Sequence, residues 1–384
     1  MSKLEELRAQ IDEIDSQMIA LFEKRMDVTR QVGEYKKEHD LPVLDRQREE
    51  EVLAKKEAML KNQYLKTEVK DFFGSIMAIS RRQQRGLMAD QSRVEHFASY
   101  KNMVRAAREP VAHPRVCYQG VAGAYAEEAT ALFFGEEVQR SGAATWRDLF
   151  ELLMAEQADY IVVPIENNST GSINGVYDLL AEYGAHVVGE QLLKVEHCLC
   201  ALPGVGLEEI TDVYSHEQGF FQSEEFFAGH REWRQNAVLN TAAAARLVAE
   251  SGARSKAAVC SRRAARLWGL EVLQEGINTS RDNYTRFFVV SKEMEIRSGS
   301  NKISLMFTLP HEPGTLNHVL GILAVHQMNM LRLESRPMPG KGWEYRFFVD
   351  VEGDLRDENL NSVLFEILEN TLTLGILGNY PKGA

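Results

Sequence analysis

Apolar residues recur every three or four positions from the start of this chain: Leu4, Leu7, Ile11, Ile14, Met18, Leu21, Phe22, Val28 and Val32. That is the period of a helix that buries one face. No proline occurs before Pro42. The pattern therefore predicts a single helix over residues 2–37, far longer than is usual in globular proteins. A turn around His39 to Pro42 leads to a second helix over 45–60 and a third over 66–87. Three such helices and no strand bury little core alone and invite a partner chain.

The pattern then changes twice. Residues 92–114 form a mixed, charged connector ending in Pro110 and Pro114. Short β-prone runs follow, Val116-Cys117-Tyr118 and Tyr160-Ile161-Val162-Val163, interleaved with Ala-rich helical stretches, which predicts an α/β arrangement. Residues 186–190 and 196–202 read as further strands, and another αβ set runs to Val290, so two α/β lobes are expected. From Lys302 the order becomes strand (302–309), helix (314–326), strand (328–336), strand (343–351), helix (356–369) and strand (371–377). This βαββαβ order is ferredoxin-like.

Composition narrows the class. A hydrophobic fraction of 44% and a charged fraction of 26% are those of a globular protein. The charged start MSKLEELRAQ is unlike a signal peptide, and no apolar run approaches the ~20 residues of a membrane span. Cys117, Cys198, Cys200 and Cys260 show no metal-ligand spacing. A cytoplasmic, disulfide-free protein is expected. The net charge of −12 argues against nucleic acid as a partner. Residues 1–90 carry 17 Lys+Arg and 18 Asp+Glu, a net of −1 that leaves −11 for the rest. The helical segment is thus relatively cation-rich, as a site for a small anion or a solvated helical surface would be.

The chemistry concentrates in a few segments. Asp159 to Leu180, DYIVVPIENNSTGSINGVYDLL, runs from a strand into the polar turn Glu166-Asn167-Asn168-Ser169-Thr170-Gly171-Ser172 and on into a helical run. Such turns place N–H groups and hydroxyls against small anionic ligands. Asn283-Tyr284-Thr285-Arg286-Phe287-Phe288 sets a hydroxyl and a guanidinium at the mouth of a β-prone strand. Tyr214-Ser215-His216-Glu217-Gln218 and Asn240-Thr241-Ala242-Ala243-Ala244 complete four ordered motifs. Together they resemble the prephenate dehydratase family. The resemblance implies that Thr285 assists departure of the substrate hydroxyl and that Arg286 anchors a carboxylate or positions the strand. It implies that Glu166, Asn167, Ser169, Thr170 and Gly171 line one wall, with Ser215, His216, Gln218 and Thr241 nearby. His216 reads equally as a cap at a strand end. Gly120-Val121-Ala122-Gly123-Ala124-Tyr125 reads as a backbone N–H site for a substrate carboxylate, with valine where the family usually has proline.

In the helical segment Arg8, Arg25, Lys36, Asp45, Arg48, Glu49, Ser80 and Gln84 resemble the pattern of the all-helical chorismate mutase class. Arg25 and Lys36 lie within about 20° of one helix face and ~16 Å apart along the axis. Arg8 lies about 100° round from Arg25 and ~25 Å away, so on one straight helix it serves a different site. The resemblance implies that all eight bind substrate and that Arg25, Lys36 and Gln84 are also catalytic. Chorismate rearranges without nucleophile or proton transfer, so arginine clamps and charge stabilisation at the ether oxygen must do the work.

Glu334-Ser335-Arg336-Pro337 matches the ESRP motif of ACT domains, and Gly314-Thr315-Leu316-Asn317 stands where GALV is usual. Gly314, Thr315, Leu316, Glu334, Ser335 and Arg336 are then the implied effector site, with phenylalanine as effector. The expected architecture is multidomain: an all-α intertwined helical mutase domain (1–90), a linker (91–114), a two-lobed α/β dehydratase domain (115–292) and a ferredoxin-like βαββαβ ACT domain (300–384). The order resembles the bifunctional P-protein family of phenylalanine synthesis. It implies chorismate and prephenate as substrates, phenylalanine feedback, a homodimer or higher homo-oligomer, no cofactor, no nucleic acid and no membrane. A mutase fused to a prephenate dehydrogenase is opposed by the lack of a G-x-G-x-x-G after any strand. A ligand sensor without turnover is opposed by Thr285-Arg286-Phe287.

Overall fold

The computed structural model describes residues 2–43, 45–87, 91–338, 340, 342 and 344–383. The chain divides into two compact units, Met1–Ser99 with Glu312–Ile322 and Leu364–Leu372, and Tyr100–His311 with Leu323–Val363 and Thr373–Ala384.

The first helices are α1 (Lys3–Glu38), α2 (Arg46–Ala58), α3 (Lys66–Leu87) and α4 (Gln91–Arg105). A capping box starts α1: Ser2 Oγ accepts from the Glu5 N–H and the Glu5 carboxylate accepts from the Ser2 N–H. Asp45 caps α2 by accepting from the Arg48 N–H at 3.0 Å. The stretch expected as a connector is largely helical, as α4. Phe97, Tyr100 and Val104 recur at helical spacing, and Phe97 meets Phe365 edge-on at 5.2 Å between ring centroids. Within α1 only Thr29 and Gly33 are buried, where it packs on α3. Leu7, Ile11, Ile14, Met18 and Leu21 stay exposed.

The second unit holds the α/β lobes. The first lobe's sheet has the order β2-β1-β3-β11-β5, built from β1 (Arg115–Gln119), β2 (Gln139–Ala143), β3 (Tyr160–Asn167), β5 (His186–Lys194) and β11 (Tyr284–Ser291), with the short β4 (Gly171–Ser172) hairpinned to β3. Helices α5 (Tyr125–Phe134), α6 (Trp146–Met154) and α7 (Asn174–Tyr183) accompany it. The second lobe's sheet is β10-β6-β9-β7-β8, from β6 (Cys198–Ala201), β7 (Asp212–Ser215), β8 (Arg234–Ala237), β9 (Lys256–Cys260) and β10 (Glu271–Gln274). Its helices are α8 (Glu217–Phe221), α9 (Glu224–Ala228), α10 (Thr241–Ser251) and α11 (Arg262–Leu267). The chain leaves the first lobe after β5 and returns as β11, antiparallel to both β3 and β5. Two crossings therefore join the lobes.

The C-terminal elements are β12 (Lys302–Thr308), α12 (Thr315–Val325), β13 (Met330–Pro337), β14 (Tyr345–Glu352), α13 (Glu358–Glu369) and β15 (Thr373–Tyr380), in the expected βαββαβ order. Their sheet runs β13-β14-β12-β15, all antiparallel. Trp343, with which the third strand was expected to begin, lies outside the described residues. Phe348, Leu377 and Tyr380 of this sheet share one apolar core with Val187, Phe288 and Val290 of the first lobe. Contact is close enough at Gly378 that a Cβ would stand 1.9 Å from the Val187 carbonyl oxygen, so only glycine fits.

A buried charge network ties the same two sheets. Lys302, 2% exposed, lies 2.7 Å from Glu190 and 3.3 Å from Asp350, while Arg286 lies 3.4 and 3.2 Å from the same two carboxylates. Ser304 Oγ donates to Asp350 at 2.6 Å. Removing one member of such a network leaves buried charge unpaired, which costs about 3–5 kcal/mol. Lys302→Ala is therefore expected to lower the chemical-denaturation midpoint markedly; an unmoved midpoint would contradict this.

Candidate active sites

Six of the eight residues that resemble the mutase pattern lie where α1, α2 and α3 meet. Arg25, half-buried on α1, donates to Ser80 Oγ on α3, and Ser80 in turn donates to the Ile76 carbonyl at 2.8 Å. Burial pulls the Arg25 pKa down. Among the described residues no carboxylate serves it as a counter-ion. Ser80 and Gln84 are one turn apart on α3 and both are buried. Gln84 packs against Gly33, three residues before Lys36, and its buried Oε1 has no hydrogen-bond partner among the described residues. The Lys36 ammonium donates to the Val43 carbonyl at 2.7 Å. Glu49 pairs with Arg81, and Asp45 serves as the cap of α2. Arg48 is exposed, 3.6 Å from Glu51, and Arg8 stands exposed on α1. One chain thus assembles an under-neutralised cationic corner of Arg25, Lys36, Ser80 and Gln84 and leaves Arg8 outside it.

In the other site the antiparallel register of β3 and β11 sets Asn167 beside Thr285 and Glu166 beside Arg286. Asn167, 5% exposed, organises the turn. Its Oδ1 accepts from the backbone N–H of Ser169 (2.9 Å) and Thr170 (3.1 Å) and from the hydroxyl of Ser169 (2.6 Å). This is the side-chain-to-backbone folding typical of asparagine turns. Its Nδ2 donates to Asn283 Oδ1 at 2.7 Å and to Thr285 Oγ1 at 3.0 Å. The turn closes at Gly171, whose φ of +85° selects glycine although a Cβ there would meet open space. Arg286 is held by Glu166, Glu190 and Asp350. Burial opposes its charge, but Asp350, Glu190 and Glu166 more than offset this and raise its pKa. With three carboxylates around it, Arg286 positions Glu166 and the strand rather than offering a free cation.

The remaining implied residues divide. Ser215 is fully buried and donates to the Val259 carbonyl at 3.1 Å. His216 caps α8, its Nδ1 accepting from the Gln218 N–H at 3.1 Å, while Gln218 is exposed. Thr241 opens α10 behind the cap Asn240. In the Gly120–Tyr125 loop the N–H of Gly120 donates to the Ala143 carbonyl, that of Ala124 to the Val121 carbonyl, and that of Gly123 to the buried Glu127 carboxylate at 2.6 Å. These three groups are spent internally, so the loop offers fewer free donors than its glycines suggest.

The comparisons follow this layout. Family models for chorismate mutase type II, prephenate dehydratase and the ACT domain match residues 7–85, 116–295 and 303–369. A protein of Aquifex aeolicus (strain VF5) described as a bifunctional chorismate mutase/prephenate dehydratase is 30% identical over 383 residues, covering 100% of this chain and 99% of its own. The chain belongs to the bifunctional chorismate mutase/prephenate dehydratase family. A solved prephenate dehydratase from Arthrobacter aurescens in complex with L-Phe is 28% identical, with a TM-score of 0.64 over 70% of this chain and 90% of its own. A structure described as GqqA, a novel type of quorum-quenching acylase, is equally similar, at 29% identity and a TM-score of 0.64 over 70% of this chain and 97% of its own. Likeness of fold is thus shared by proteins of different description, and activity has to be argued from the site.

In this family member the ESRP residues reach the dehydratase turn. Glu334 accepts from Ser172 Oγ at 2.8 Å, Arg336 donates to Asp178 at 2.6 Å, and Ser335 lies between them on β13. Gly314 (φ +84°) precedes α12, which Thr315 and Leu316 begin, with Thr315 Oγ1 donating to the Glu312 carbonyl at 3.0 Å. Four residues that touch these sites escaped the sequence reading. Arg81 pairs with Glu49, Arg332 donates to Ser172 Oγ at 2.8 Å, Asn283 accepts from Asn167, and Gln222 donates to Ser169 Oγ at 3.0 Å. Asn283 had a usable signal, since it opens the Asn283–Phe288 segment already singled out, and Gln222 lies four residues past the Tyr214–Gln218 motif.

Proposed function

We propose that this protein converts chorismate to prephenate in its helical segment and prephenate to phenylpyruvate in its two-lobed domain. Arg25 and Ser80 grip a chorismate carboxylate. Lys36 turns from the Val43 carbonyl to the ether oxygen, with the Gln84 amide opposite, and Glu49 and Asp45 order the surrounding groups. Arg48 adds a second cation for the substrate carboxylates, and Arg8 completes the site from a second copy. The exposed apolar stripe of α1 is what such a copy would cover, so the protein is a homodimer or larger. Light scattering at micromolar concentration should give at least twice the 43.5 kDa chain mass; a monomer would contradict the shared site.

The observation that carries the dehydratase reading is the Asn167–Thr285 bond. Asn167 Nδ2 donates to Thr285 Oγ1, so the threonine's own proton is left for another acceptor. Breaking the carboxylate C–C bond of prephenate sends its electron pair into the ring and expels the hydroxyl, which leaves as water on gaining a proton. Thr285 is placed to donate to that hydroxyl, while the Glu166–Gly171 turn frames the substrate. Given prephenate alone, the protein should release carbon dioxide and form phenylpyruvate; prephenate left intact would refute this.

Phenylalanine is the proposed effector, bound through Gly314, Thr315, Leu316, Glu334, Ser335 and Arg336. Glu334 and Arg336 touch Ser172 and Asp178, beside the catalytic turn, which supports communication with it. Arg336→Ala should raise the phenylalanine concentration needed for half-inhibition; an unchanged inhibition curve would remove Arg336 from the effector path. Among the described residues no helix is long and apolar enough to cross a membrane, and a cytoplasmic setting fits these substrates.

A further inference from the structure

Asn167 is one end of a longer chain of hydrogen bonds. Ser169 Oγ meets Gln222 Nε2 at 3.0 Å, Gln222 Oε1 meets His197 Nε2 at 2.9 Å, and His197 Nδ1 meets Tyr125 OH at 3.0 Å. His197, 2% exposed, stands at the first crossing between the lobes, between β5 and β6. The second crossing is laced to it: its N–H donates to Asn278 Oδ1 at 2.7 Å and its carbonyl accepts from the Ile277 N–H at 3.0 Å. Gln222 belongs to the second lobe and Ser169 to the first, so the Gln222–Ser169 bond bridges the lobes at the catalytic turn.

The direction of each bond from Asn167 to His197 Nε2 follows from the backbone. The N–H groups of Ser169 and Thr170 can only donate, which fixes Asn167 Oδ1 as acceptor. Ser169 gives its single hydroxyl proton to that same oxygen at 2.6 Å, leaving its Oγ as acceptor. Gln222 must then present Nε2 to Ser169 and Oε1 to the histidine. His197 Nε2 therefore carries a proton. Burial lowers the pKa of His197, with the Gln222 bond opposing, so the ring is neutral. Its Nδ1 lies 3.0 Å from Tyr125 OH, whose single proton the Glu196 carbonyl also accepts at 3.0 Å.

We propose that His197 is a positioning residue for the dehydratase step: its Nε2–H holds Gln222 closed on Ser169, and so fixes the turn from which Asn167 aims the Thr285 hydroxyl. This rests on Thr285 being the donor to the departing hydroxyl. His197→Asn keeps a polar group near Nδ1 but removes the donor at the far end; His197→Gln restores a donor there. In the full-length protein, His197→Asn should lower kcat for supplied prephenate about ten- to a hundredfold with KM little changed, and His197→Gln should recover most of the loss. Adding His197→Asn to Gln222→Leu should cost nothing further, because both break one chain. Full kcat in His197→Asn, equal losses in the two histidine variants, or losses that multiply in the double variant would overturn the proposal. Imidazole 15N NMR of the wild-type chain, with His197 assigned by its absence in His197→Gln, should show the Nε2–H tautomer; the Nδ1–H tautomer would overturn it without recourse to any variant's folding. If Thr285→Ala keeps full dehydratase activity, the donor reading itself has failed. If Thr285→Ala is inactive while His197→Asn is not, only the positioning chain has failed.

Discussion

Thr285→Ala should halt the chain at prephenate, lowering dehydratase kcat by about 10²–10³-fold while chorismate is consumed at the wild-type rate. The size follows from what the hydroxyl does. Thr285 Oγ1 already accepts from Asn167, so its proton has one use left, toward charge that develops only as the hydroxyl departs. An interaction made only in the transition state is lost from kcat rather than from KM. Thr285→Ser keeps the hydroxyl and should retain much of the rate, whereas Thr285→Val keeps the shape and should not. The check is steady-state formation of phenylpyruvate from supplied prephenate, beside consumption of chorismate. A valine variant as fast as wild type would show that shape, not the proton, is what Thr285 contributes.

Lys36→Ala should do the reverse. Mutase turnover should fall by at least about 10²–10³-fold, and dehydration of supplied prephenate should be unchanged. The pericyclic step has no covalent intermediate to compensate for a lost cation, so charge stabilisation at the ether oxygen is most of what the protein supplies. Among the described residues Lys36 bonds to the Val43 carbonyl alone, a neutral partner that it can leave for substrate. Arg25, partly desolvated and bound to a serine hydroxyl, would still hold a carboxylate, so chorismate binding should weaken less than turnover. Parallel assays on chorismate and on prephenate decide it. Loss of both activities in a folded protein would contradict two separate sites.

Local pattern made much of this legible in the sequence. The uninterrupted apolar period before Pro42 marks α1 to within a residue at each end, and β-prone runs mark the strands that carry Asn167 and Thr285. Residues 91–105 were harder to read, because charged side chains and the later prolines obscured the helical spacing of Phe97, Tyr100 and Val104. The Gly120–Tyr125 loop has the look of an anion cradle, but Glu127, one helical turn on, takes the N–H of Gly123. Partnerships made by tertiary contact left no local trace at all. Arg286 meets Asp350 across 64 positions, and Gln222 meets Ser169 across 53. A motif shows which side chains are present, but only the fold shows which of them are already spent.

The most direct single test is to give the purified protein chorismate alone and follow phenylpyruvate by its alkaline absorbance, with and without phenylalanine. Phenylpyruvate should form with no other enzyme added, and phenylalanine should suppress it. Accumulation of prephenate without phenylpyruvate would contradict the dehydratase site, and untouched chorismate beside active dehydration of supplied prephenate would reduce the long helix to an arm.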